Sequence, residues 1–582
     1  MSLDKYDLVC LGAGVAAGYW AEEVVSLVKG LGSSDAGPRP RVCIVSAYPD
    51  GLVPYERSEL SKDCLRPSLT HSRDWQAWGN RTFPYTSSAS QRGARSFRWY
   101  REKGVTILPW CECYKIDVEA GILMLLQYSD RLRTRSKAKN LEIVYRSLLV
   151  ATGSSPKRLD GDTGSSPCFC LKHLDLRGVR LDKPDTYGLG SAHYLRDIGD
   201  CIKLVKALGT APVTGAGGVG NRGKGGDANT VALVGGGVLC MEVAATIVSH
   251  YTGIRPILLV AGSRLMPNIF NQEISDFYEG KLVEAGVTVV RNVRTERLWG
   301  LEEQGEFETL GGQKVHFGSA PRGYTECRGV VVRGSEDQTI HVPARVVLIG
   351  IGSVPNSDIF RGQLELSPDG GVCVDRRCRA IPKVDTGDPG AVYRPVYAAG
   401  DVASFSLGVE PSRRIRLEHA QNARDMAVIS ARNMVHAVGL LERPGMGHFA
   451  LGNGGSASDL SVNDSRTHDP VPSFSSKFLG LSWRFYGIAE GEVVVMGRNQ
   501  FPITRTFGAF WVRAERVVGA FLEGGTLEQQ ITVAQVTRLR PKVFSAKVLE
   551  ESRLGDFLAD PGSIEASEDT DLSQLLMCCR CV

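Results

Sequence analysis

Two glycine-rich turns in the sequence have the residue types and spacing that bind a dinucleotide. Each follows an apolar run of strand length, residues 6–11 and 230–234, and each leads into a helical pattern. Glycines at such turns let the backbone approach a pyrophosphate, and the positive end of the following helix attracts the phosphate charge. One turn of this kind is common, but a second copy predicts two dinucleotide sites in one chain and electron transfer between two cofactors.

The residues that we predict to hold the cofactors belong to these turns and to the helix starts that follow them. In the second turn Cys240 stands where a third glycine is usual, and its small side chain still permits close packing of helix on strand. The first set is Gly12, Gly14, Val15, Ala16 and Ala17, and the second set is Gly235, Gly236, Gly237, Val238, Leu239, Cys240, Met241 and Glu242.

The composition excludes several classes of protein. At 582 residues the chain is long enough for about three to four domains, and its 43% hydrophobic and 23% charged content is ordinary for a globular protein. The formal net charge of +4 is too small to indicate a nucleic-acid or membrane-surface partner. No apolar run approaches the about 18 residues of a membrane-spanning helix. The N-terminus begins at once with a strand pattern, so we expect no leader segment and a cytoplasmic location.

Three further stretches extend the pattern set by the two turns. They contain Ala151, Thr152 and Gly153 after an apolar strand, Gly352 after another, and Gly400 followed by Asp401. With these stretches the chain resembles the two-dinucleotide-binding-domain flavoproteins, the class of FAD-dependent pyridine-nucleotide oxidoreductases. The resemblance implies FAD and NADH or NADPH as cofactors, and contact between the Asp401 carboxylate and the ribityl-phosphate region of the flavin.

Two more stretches resemble the monodehydroascorbate reductases and their ferredoxin-reductase-like relatives. Residues 54–62 carry Arg57 and Lys62, two cations that suit a flavin diphosphate and an electron-rich reduced ring. In residues 416–424, the resemblance implies that Glu418 and His419 lie beside flavin and nicotinamide, and that Arg424 binds an ascorbyl substrate. We therefore predict Lys62, Glu418, His419 and Arg424 as catalytic residues, all but Arg424 also contacting a cofactor.

Two positions depart from the family pattern. Ser475 stands near the place of the tyrosine that contacts substrate in the reductases, and we keep it, with Arg424, as a predicted substrate residue. The acidic residue that selects NADH is replaced by Gly262, Ser263 and Arg264. Loss of the acid removes repulsion against a 2′-phosphate, and Arg264 is able to pair with it. Use of NADH and use of NADPH therefore both stay open.

The cysteines indicate how electrons leave the flavin. Disulfide reductases of this superfamily carry two cysteines four residues apart after the first turn, whereas Cys43 and Cys64 are widely separated here. Without that relay the flavin must face its acceptor directly, which favours a one-electron acceptor. The first hypothesis is reduction of ascorbyl radical in antioxidant defence. The alternatives are reduction of a ferredoxin- or rubredoxin-type iron–sulfur protein, and a binding or signalling flavoprotein of the apoptosis-inducing-factor type.

The C-terminal cysteines admit several interpretations. Cys578, Cys579 and Cys581 are consistent with a redox tail, a soft-metal site or an acylation point, and we favour a disordered tail with exposed thiols. We predict no metal site in the chain.

These observations predict an α/β fold with two Rossmann-like dinucleotide-binding domains and a C-terminal α+β domain. Polar, glycine-rich stretches such as residues 210–229 are interpreted as surface insertions. The predicted division is an FAD-binding domain in two segments (1–190 and 346–435), an NAD(P)H-binding domain (191–345), a flexible insertion (436–469), a C-terminal domain (470–555) and a tail (556–582).

Overall fold

The structure is a computed structural model, which describes residues 4–29, 40–47, 60–66, 97–128, 138–159, 191–196, 198–209, 229–300, 305–308, 314–317, 327–383, 394–439, 467–542 and 554. Arg57, the tail cysteines Cys578, Cys579 and Cys581, and most of the predicted insertion at 436–469 lie outside these residues. Within the described ranges, no helix is both long and apolar enough to cross a membrane.

The first sheet has a parallel core of short apolar strands. Its part of the chain contains β1 (Asp4–Leu11), β2 (Val42–Val45), β3 (Val105–Leu108), β4 (Cys111–Asp117), β5 (Ile122–Gln127), β6 (Lys139–Val150) and β7 (Ser154–Pro156), with helices α1 (Val15–Lys29) and α2 (Phe97–Glu102). The strand order is β3-β2-β1-β6-β5-β4, parallel from β3 to β6 and antiparallel beyond. Every residue of β2 is buried, as expected for a parallel strand covered on both faces.

The second sheet is parallel throughout and holds the second glycine-rich turn. Its part of the chain contains β8 (Ser191–His193), β9 (Thr230–Val234), β10 (Arg255–Leu259), β11 (Thr288–Val290), β12 (Arg294–Gly300), β13 (Gly305–Glu308), β14 (Lys314–Phe317), β15 (Cys327–Arg333), β16 (Thr339–Pro343) and β17 (Val346–Ile349), with helices α3 (Ile198–Gly209), α4 (Val238–His250) and α5 (Gln272–Glu284). The strand order is β11-β10-β9-β17-β8, while β12-β15-β16 and β13-β14 form small antiparallel sheets.

The chain then returns to the first sheet. This part contains β18 (Ser353–Pro355), β19 (Val372–Val374), β20 (Val396–Ala398), β21 (Ala403–Leu407) and β22 (Glu410–Ile415), with helix α6 (Ala420–Ala437). Strand β20 pairs in parallel with the end of β6, and α6 packs against α1. Strands β7 and β18 pair antiparallel, so the outgoing and returning connections between the two sheets run side by side.

The C-terminal part is an antiparallel sheet with helices. It contains β23 (Ser473–Phe478), β24 (Leu481–Gly487), β25 (Glu492–Met496), β26 (Phe507–Arg513) and β27 (Arg516–Glu523), with helices α7 (Phe501–Thr504) and α8 (Leu527–Leu539). The strand order is β23-β24-β27-β26-β25. Helix α8 begins at a capping box in which Thr526 and Gln529 exchange hydrogen bonds, and it packs against β27.

The predicted fold class is confirmed, with one correction to the domain division. We predicted that the first domain resumes at residue 346, but β17 (Val346–Ile349) lies inside the second sheet, between β9 and β8. The return to the first sheet therefore begins after Ile349. The error has a simple cause, because a fully buried apolar strand looks the same in sequence whichever parallel sheet it joins.

The parts of the chain built on the first and second sheets are named the first and second units. Aromatic side chains hold the C-terminal sheet against the second unit. The ring of Phe270 stacks on Tyr278 of α5 at 5.1 Å between centroids, and meets Trp483 and Phe521 edge-on at 5.2 and 5.8 Å. All four residues are almost fully buried. Because Trp483 and Phe521 belong to β24 and β27, this aromatic cluster fixes the position of the sheet whose edge strand, β23, lies against α4.

Replacing the ring at the centre of this cluster tests its contribution. We expect Phe270→Ala to lower the free energy of unfolding by about 3–5 kcal/mol, because it leaves a cavity among three aromatic partners. Urea denaturation followed by tryptophan fluorescence measures the change. Val283→Ala, on the exposed side of α5, is the control and changes stability by less than about 0.5 kcal/mol. Equal effects of the two substitutions contradict the assignment.

Candidate functional site

The first glycine-rich turn lies where three parallel strands end together. The Ala151 amide donates to the Leu11 carbonyl at 2.9 Å, and the Ala399 amide donates to the Val150 carbonyl at 3.0 Å, which joins the ends of β1, β6 and β20. Gly12 has a φ of +123°, and a Cβ there would lie 2.1 Å from the Ala151 carbonyl oxygen. Only glycine fits this position, and the carboxyl edge of the sheet is the usual place of a dinucleotide.

Small residues bring the neighbouring helices close to this turn. Ala16 and Ala17 of α1 are buried. A Cβ at Gly400, whose φ is +79°, would lie 3.4 Å from the Cβ of Ala423 on α6 and 3.6 Å from that of Ala16. Val15 begins α1 directly above the sheet. The predicted residues of the first turn and of the Gly-Asp motif are therefore brought together.

The Asp401 carboxylate is held by two polar side chains. Its Oδ2 accepts a hydrogen bond from Ser154 Oγ at 3.1 Å and forms an ion pair with Arg196 Nη1 at 3.6 Å. Arg196 stands just before α3, so a cation that precedes the second turn in the chain reaches the Gly-Asp motif of the first sheet. We did not predict a role for Arg196. Its signal in the sequence is a lone cation between a strand and a helix, which is too common to single out.

Hydrogen bonds from side chains to backbone carbonyls join Thr152 and Asn356. Thr152 Oγ1 donates to the carbonyl of Asn356 at 2.8 Å, and Asn356 Nδ2 donates back to the Thr152 carbonyl at 2.9 Å. Gly153 and Gly352 have φ values of +67° and +106° at the two ends of the β7–β18 pair. These predicted residues lie where the chain crosses between the two sheets.

The second turn repeats the geometry of the first. Gly235 has a φ of +127°, and a Cβ there would lie 2.3 Å from the Gly350 carbonyl oxygen. A Cβ at Gly236 would lie 2.8 Å from Val260. Cys240 packs beneath the turn, where burial raises the pKa of its thiol to about 12. A thiol with that pKa stays protonated at neutral pH, so Cys240 acts as a packing residue.

Both turns have room for a ligand at the helix start. Among the described residues, nothing lies within 4 Å of a Cβ built at Gly14 or at Gly237. Gly237 is the N-cap of α4 and supplies no side-chain cap, so the first N–H groups of α4 are available to a phosphate. After Val238 and Leu239, the buried Met241 anchors this helix. The residues present therefore fit FAD at the first turn and a nicotinamide dinucleotide at the second.

A buried carboxylate joins the second turn to the predicted catalytic cation. Glu242 Oε1 lies 3.0 Å from Lys62 Nζ and accepts a hydrogen bond from Ser476 Oγ at 2.5 Å. Its Oε2 accepts from Ser61 Oγ. Lys62 comes from the segment between β2 and α2 in the chain, Glu242 from α4 and Ser476 from β23. All three parts of the protein thus meet at one carboxylate, which we name the Glu242 junction.

The loop that carries Lys62 is held by side chains of the second unit. Thr246 Oγ1 donates to the Ser61 carbonyl at 3.0 Å, and Tyr251 Oη donates to the Leu65 carbonyl at 2.5 Å. Cys201 Sγ of α3 lies 3.3 Å from the Cys64 carbonyl. These contacts fix the backbone on both sides of Lys62.

Glu418 and His419 lie at the start of α6. Arg416 Nη1 donates to Glu418 at 2.7 Å and to the Asp401 carbonyl at 2.9 Å, and Ser353 Oγ also donates to Glu418. His419 is the N-cap of α6, with Nδ1 accepting from the Gln421 amide at 3.3 Å.

The charge of His419 is set by its surroundings. Burial, aided by the Arg484 guanidinium of β24 and opposed by the Asp401 carboxylate, lowers the pKa of His419 below its ordinary value. The imidazole is therefore neutral at pH 7, available to orient a ligand but carrying no charge of its own.

The predicted substrate residues occupy different surroundings. Arg424 is half-buried on α6, with its guanidinium 5.1 Å from the centre of the Tyr19 ring. Ser475 is exposed and pairs across the strands with Arg484, so it shares the sheet face that approaches His419. Its neighbour Ser476 faces the opposite way, into the Glu242 junction. Sequence reasoning named Ser475 and missed Ser476, because the two differ only in which face of β23 they occupy.

Arg264 lies in the loop after β10. Its Nη2 donates to the Pro267 carbonyl at 3.2 Å, and its buried Nε has no hydrogen-bond partner among the described residues. Arg291 lies beside the same loop, donating to the Ser263 carbonyl at 3.1 Å, but its charge is matched by Asp276 and Glu279. Arg264 is thus the cation of this loop with no carboxylate bound to it in the described structure.

Family comparisons cover nearly all of the chain. The family described as pyridine nucleotide-disulphide oxidoreductase matches residues 6–427. The family described as monodehydroascorbate reductase 3-like, C-terminal domain, matches residues 471–556. The two matches meet near the Glu242 junction, where β23 of the second match contacts α4 of the first.

Individual relatives and solved structures also match the chain over most of its length. Monodehydroascorbate reductase 3 of Arabidopsis thaliana is 28% identical over 557 residues, which cover 94% of this chain and 96% of that protein. Monodehydroascorbate reductase 1, peroxisomal, of Oryza sativa subsp. japonica is 29% identical over 555 residues, which cover 94% and 89%. Among solved structures, the covalent putidaredoxin reductase-putidaredoxin complex matches with a TM-score of 0.57 and 18% identity, covering 99% of each chain.

The contrast between two glycines of the first turn provides a test. We expect Gly14→Ala to fold normally but to weaken FAD binding by about tenfold or more, because the new methyl group enters the open space above the turn. Gly12→Ala instead destabilises the apoprotein by about 2 kcal/mol or more, because it strains the backbone and strikes the Ala151 carbonyl. Flavin fluorescence titration and thermal denaturation separate the two effects. Unchanged FAD affinity in Gly14→Ala contradicts the placement of the cofactor.

Proposed function

Because the chain belongs to the pyridine nucleotide-disulphide oxidoreductase family, we propose that it uses NADH or NADPH to reduce monodehydroascorbate, the ascorbyl radical, by way of bound FAD. The observation that carries the proposal is the Glu242 junction, in which the helix of the second turn pairs with Lys62 at 3.0 Å. One NAD(P)H and one proton convert two radicals to two ascorbate anions, so the electrons balance.

Each predicted catalytic residue has a task in this reaction. Bound FAD supplies an acceptor that takes hydride and releases electrons one at a time. The Lys62 ammonium offsets negative charge that develops beside it, while Glu242 holds that ammonium in place. Glu418, held by Arg416, and the neutral His419 lie together at the start of α6, where we assign them contacts with flavin and nicotinamide. The Arg424 guanidinium offers a partner for an anionic substrate.

A small iron–sulfur protein is the second candidate acceptor. The supporting observation is the fold match to a putidaredoxin reductase in complex with putidaredoxin, at 99% coverage of both chains. The match of residues 471–556 to a monodehydroascorbate reductase-type C-terminal domain favours the radical as the first candidate. The proposed cytoplasmic location stays a prediction, and the rice relative is named as peroxisomal.

The loop after β10 supports NADPH as a donor. Arg264 carries no bound carboxylate there, whereas Arg291 is matched by two. An unmatched guanidinium at this position would stabilise a 2′-phosphate and would not penalise its absence. We therefore propose that both nucleotides serve, with Arg264 reading the 2′-phosphate.

Substitution of Arg264 tests the choice of nucleotide. We expect Arg264→Ala to raise the KM for NADPH by about tenfold, because one charge-assisted hydrogen bond to the 2′-phosphate is lost. The KM for NADH should stay within about twofold. Steady-state reduction of ferricyanide by each nucleotide measures both constants. Arg255→Ala is the control, because Arg255 lies at the opposite end of β10. Equal changes in the KM values for NADPH and NADH rule out recognition of the 2′-phosphate by Arg264.

Anaerobic stopped-flow spectroscopy tests the acceptor. We expect protein reduced by NAD(P)H to be reoxidised by ascorbyl radical much faster than by oxygen. Arg424→Ala should slow that reoxidation by about tenfold, because the anionic radical loses its cationic partner, without slowing reduction by NAD(P)H. Arg432→Ala, on the same helix but paired with Glu23, is the control. Faster reoxidation by a ferredoxin-type protein than by the radical would support the second candidate instead.

A further inference from the structure

We propose that Ser476 is a positioning residue for flavin reduction: its hydroxyl, supplied by the C-terminal sheet, fixes the Glu242 carboxylate and thereby the Lys62 ammonium. This inference rests on the proposed binding of FAD beside Lys62. It assigns to the C-terminal sheet a role in the reduction of the flavin, in addition to any contact with the electron acceptor.

Ser476 is the polar exception on the buried face of its strand. Along β23, Phe474, Ser476 and Phe478 point to the same side, and the two phenylalanines pack into the apolar core there. A hydroxyl at a buried position between two aromatic rings costs free energy unless it forms a hydrogen bond. Ser476 is 4% exposed, and its hydroxyl donates to Glu242 Oε1 at 2.5 Å.

The hydroxyl acts on the same carboxylate oxygen that binds the catalytic cation. Glu242 Oε1 receives both Ser476 Oγ and Lys62 Nζ, whereas Oε2 receives Ser61 Oγ. The terminal torsion of a glutamate side chain is soft, so a carboxylate held on one oxygen only can rotate. With Ser476 Oγ on Oε1 and Ser61 Oγ on Oε2, the plane of the carboxylate is fixed. The direction in which Glu242 draws Lys62 is then fixed as well.

The position of β23 makes this contact depend on packing elsewhere. Strand β23 is the edge strand of its sheet and lies against α4, the helix that carries Glu242. The sheet itself is held by the aromatic cluster around Phe270. Ser476 therefore reaches Glu242 through a rigid support, which is what a positioning residue requires.

The test compares five variants of the FAD-bound protein. Ser476→Ala removes the hydroxyl, and Ser476→Thr keeps it. Ser147→Ala removes a different buried hydroxyl, which donates to the Pro395 carbonyl at 3.0 Å. Glu242→Gln, alone and combined with Ser476→Ala, shows whether Ser476 acts through Glu242. Stopped-flow reduction at varied NADH or NADPH gives the limiting rate and the apparent Kd, and dye-mediated reduction gives the midpoint potential of the flavin.

We expect Ser476→Ala to lower the limiting rate of flavin reduction by about tenfold, the effect of one hydrogen bond to a charged group. The apparent Kd for the nucleotide should stay within about twofold. The midpoint potential should become more negative, because a less firmly held ammonium stabilises the reduced flavin less. Ser476→Thr and Ser147→Ala should behave like the unsubstituted protein, and Ser476→Ala should add no further effect in the Glu242→Gln background.

Three results would overturn the proposal. They are an unchanged rate and potential in Ser476→Ala, an equal loss in Ser147→Ala, and a full additional loss when Ser476→Ala is combined with Glu242→Gln. Dye-mediated reduction needs neither a pyridine nucleotide nor the ascorbyl radical. A shift in potential is therefore measurable even where the proposed acceptor proves wrong, so the two failures are distinguishable.

Discussion

The architecture depends on two places where backbone approaches backbone too closely for any side chain. At Gly12 and at Gly235 a Cβ would lie 2.1 and 2.3 Å from a carbonyl oxygen of the neighbouring strand end. This contact lets the central strands of each sheet finish together and sets each following helix directly above the opening. The rest of the site follows from it, because α1 and α4 begin where a pyrophosphate must lie. The same steric contact, used twice, gives one chain two turns of the kind that binds a dinucleotide.

The Glu242 junction then connects segments that lie far apart in the chain. Lys62, Glu242 and Ser476 come from three parts of the protein, yet they share one buried carboxylate. Burying a carboxylate is unfavourable unless several donors satisfy it. The requirement for those donors ties the three parts together at Glu242. Ion pairing and hydrogen bonding thus hold parts of the protein together at this junction, as apolar packing does elsewhere in the molecule.

The features that the sequence predicted well are local, and those that it did not predict are contacts between distant segments. The two turns, with their strand and helix, are recognisable because all their parts are consecutive. Lys62 and Glu242 were each assigned to a cofactor, but nothing in a single sequence indicates that they pair. The choice between Ser475 and Ser476 depends on a strand register fixed by tertiary packing. Arg196 pairs with Asp401, which lies far from it in the chain, and β17 joins a sheet that apolarity alone cannot identify.

The manner in which the Lys62 loop is held has an evolutionary consequence. Its backbone carbonyls, rather than its side chains, accept the bonds from Thr246, Tyr251 and Cys201. A carbonyl is present whatever the residue, so these three contacts survive a change of side chain at the acceptor but are lost when a donor is replaced. Selection on these contacts therefore falls on α3, on α4 and on Tyr251 directly after it, far from Lys62 in the chain. Chimeras that exchange the second unit between distant relatives should inherit or lose the cation's placement with those helices.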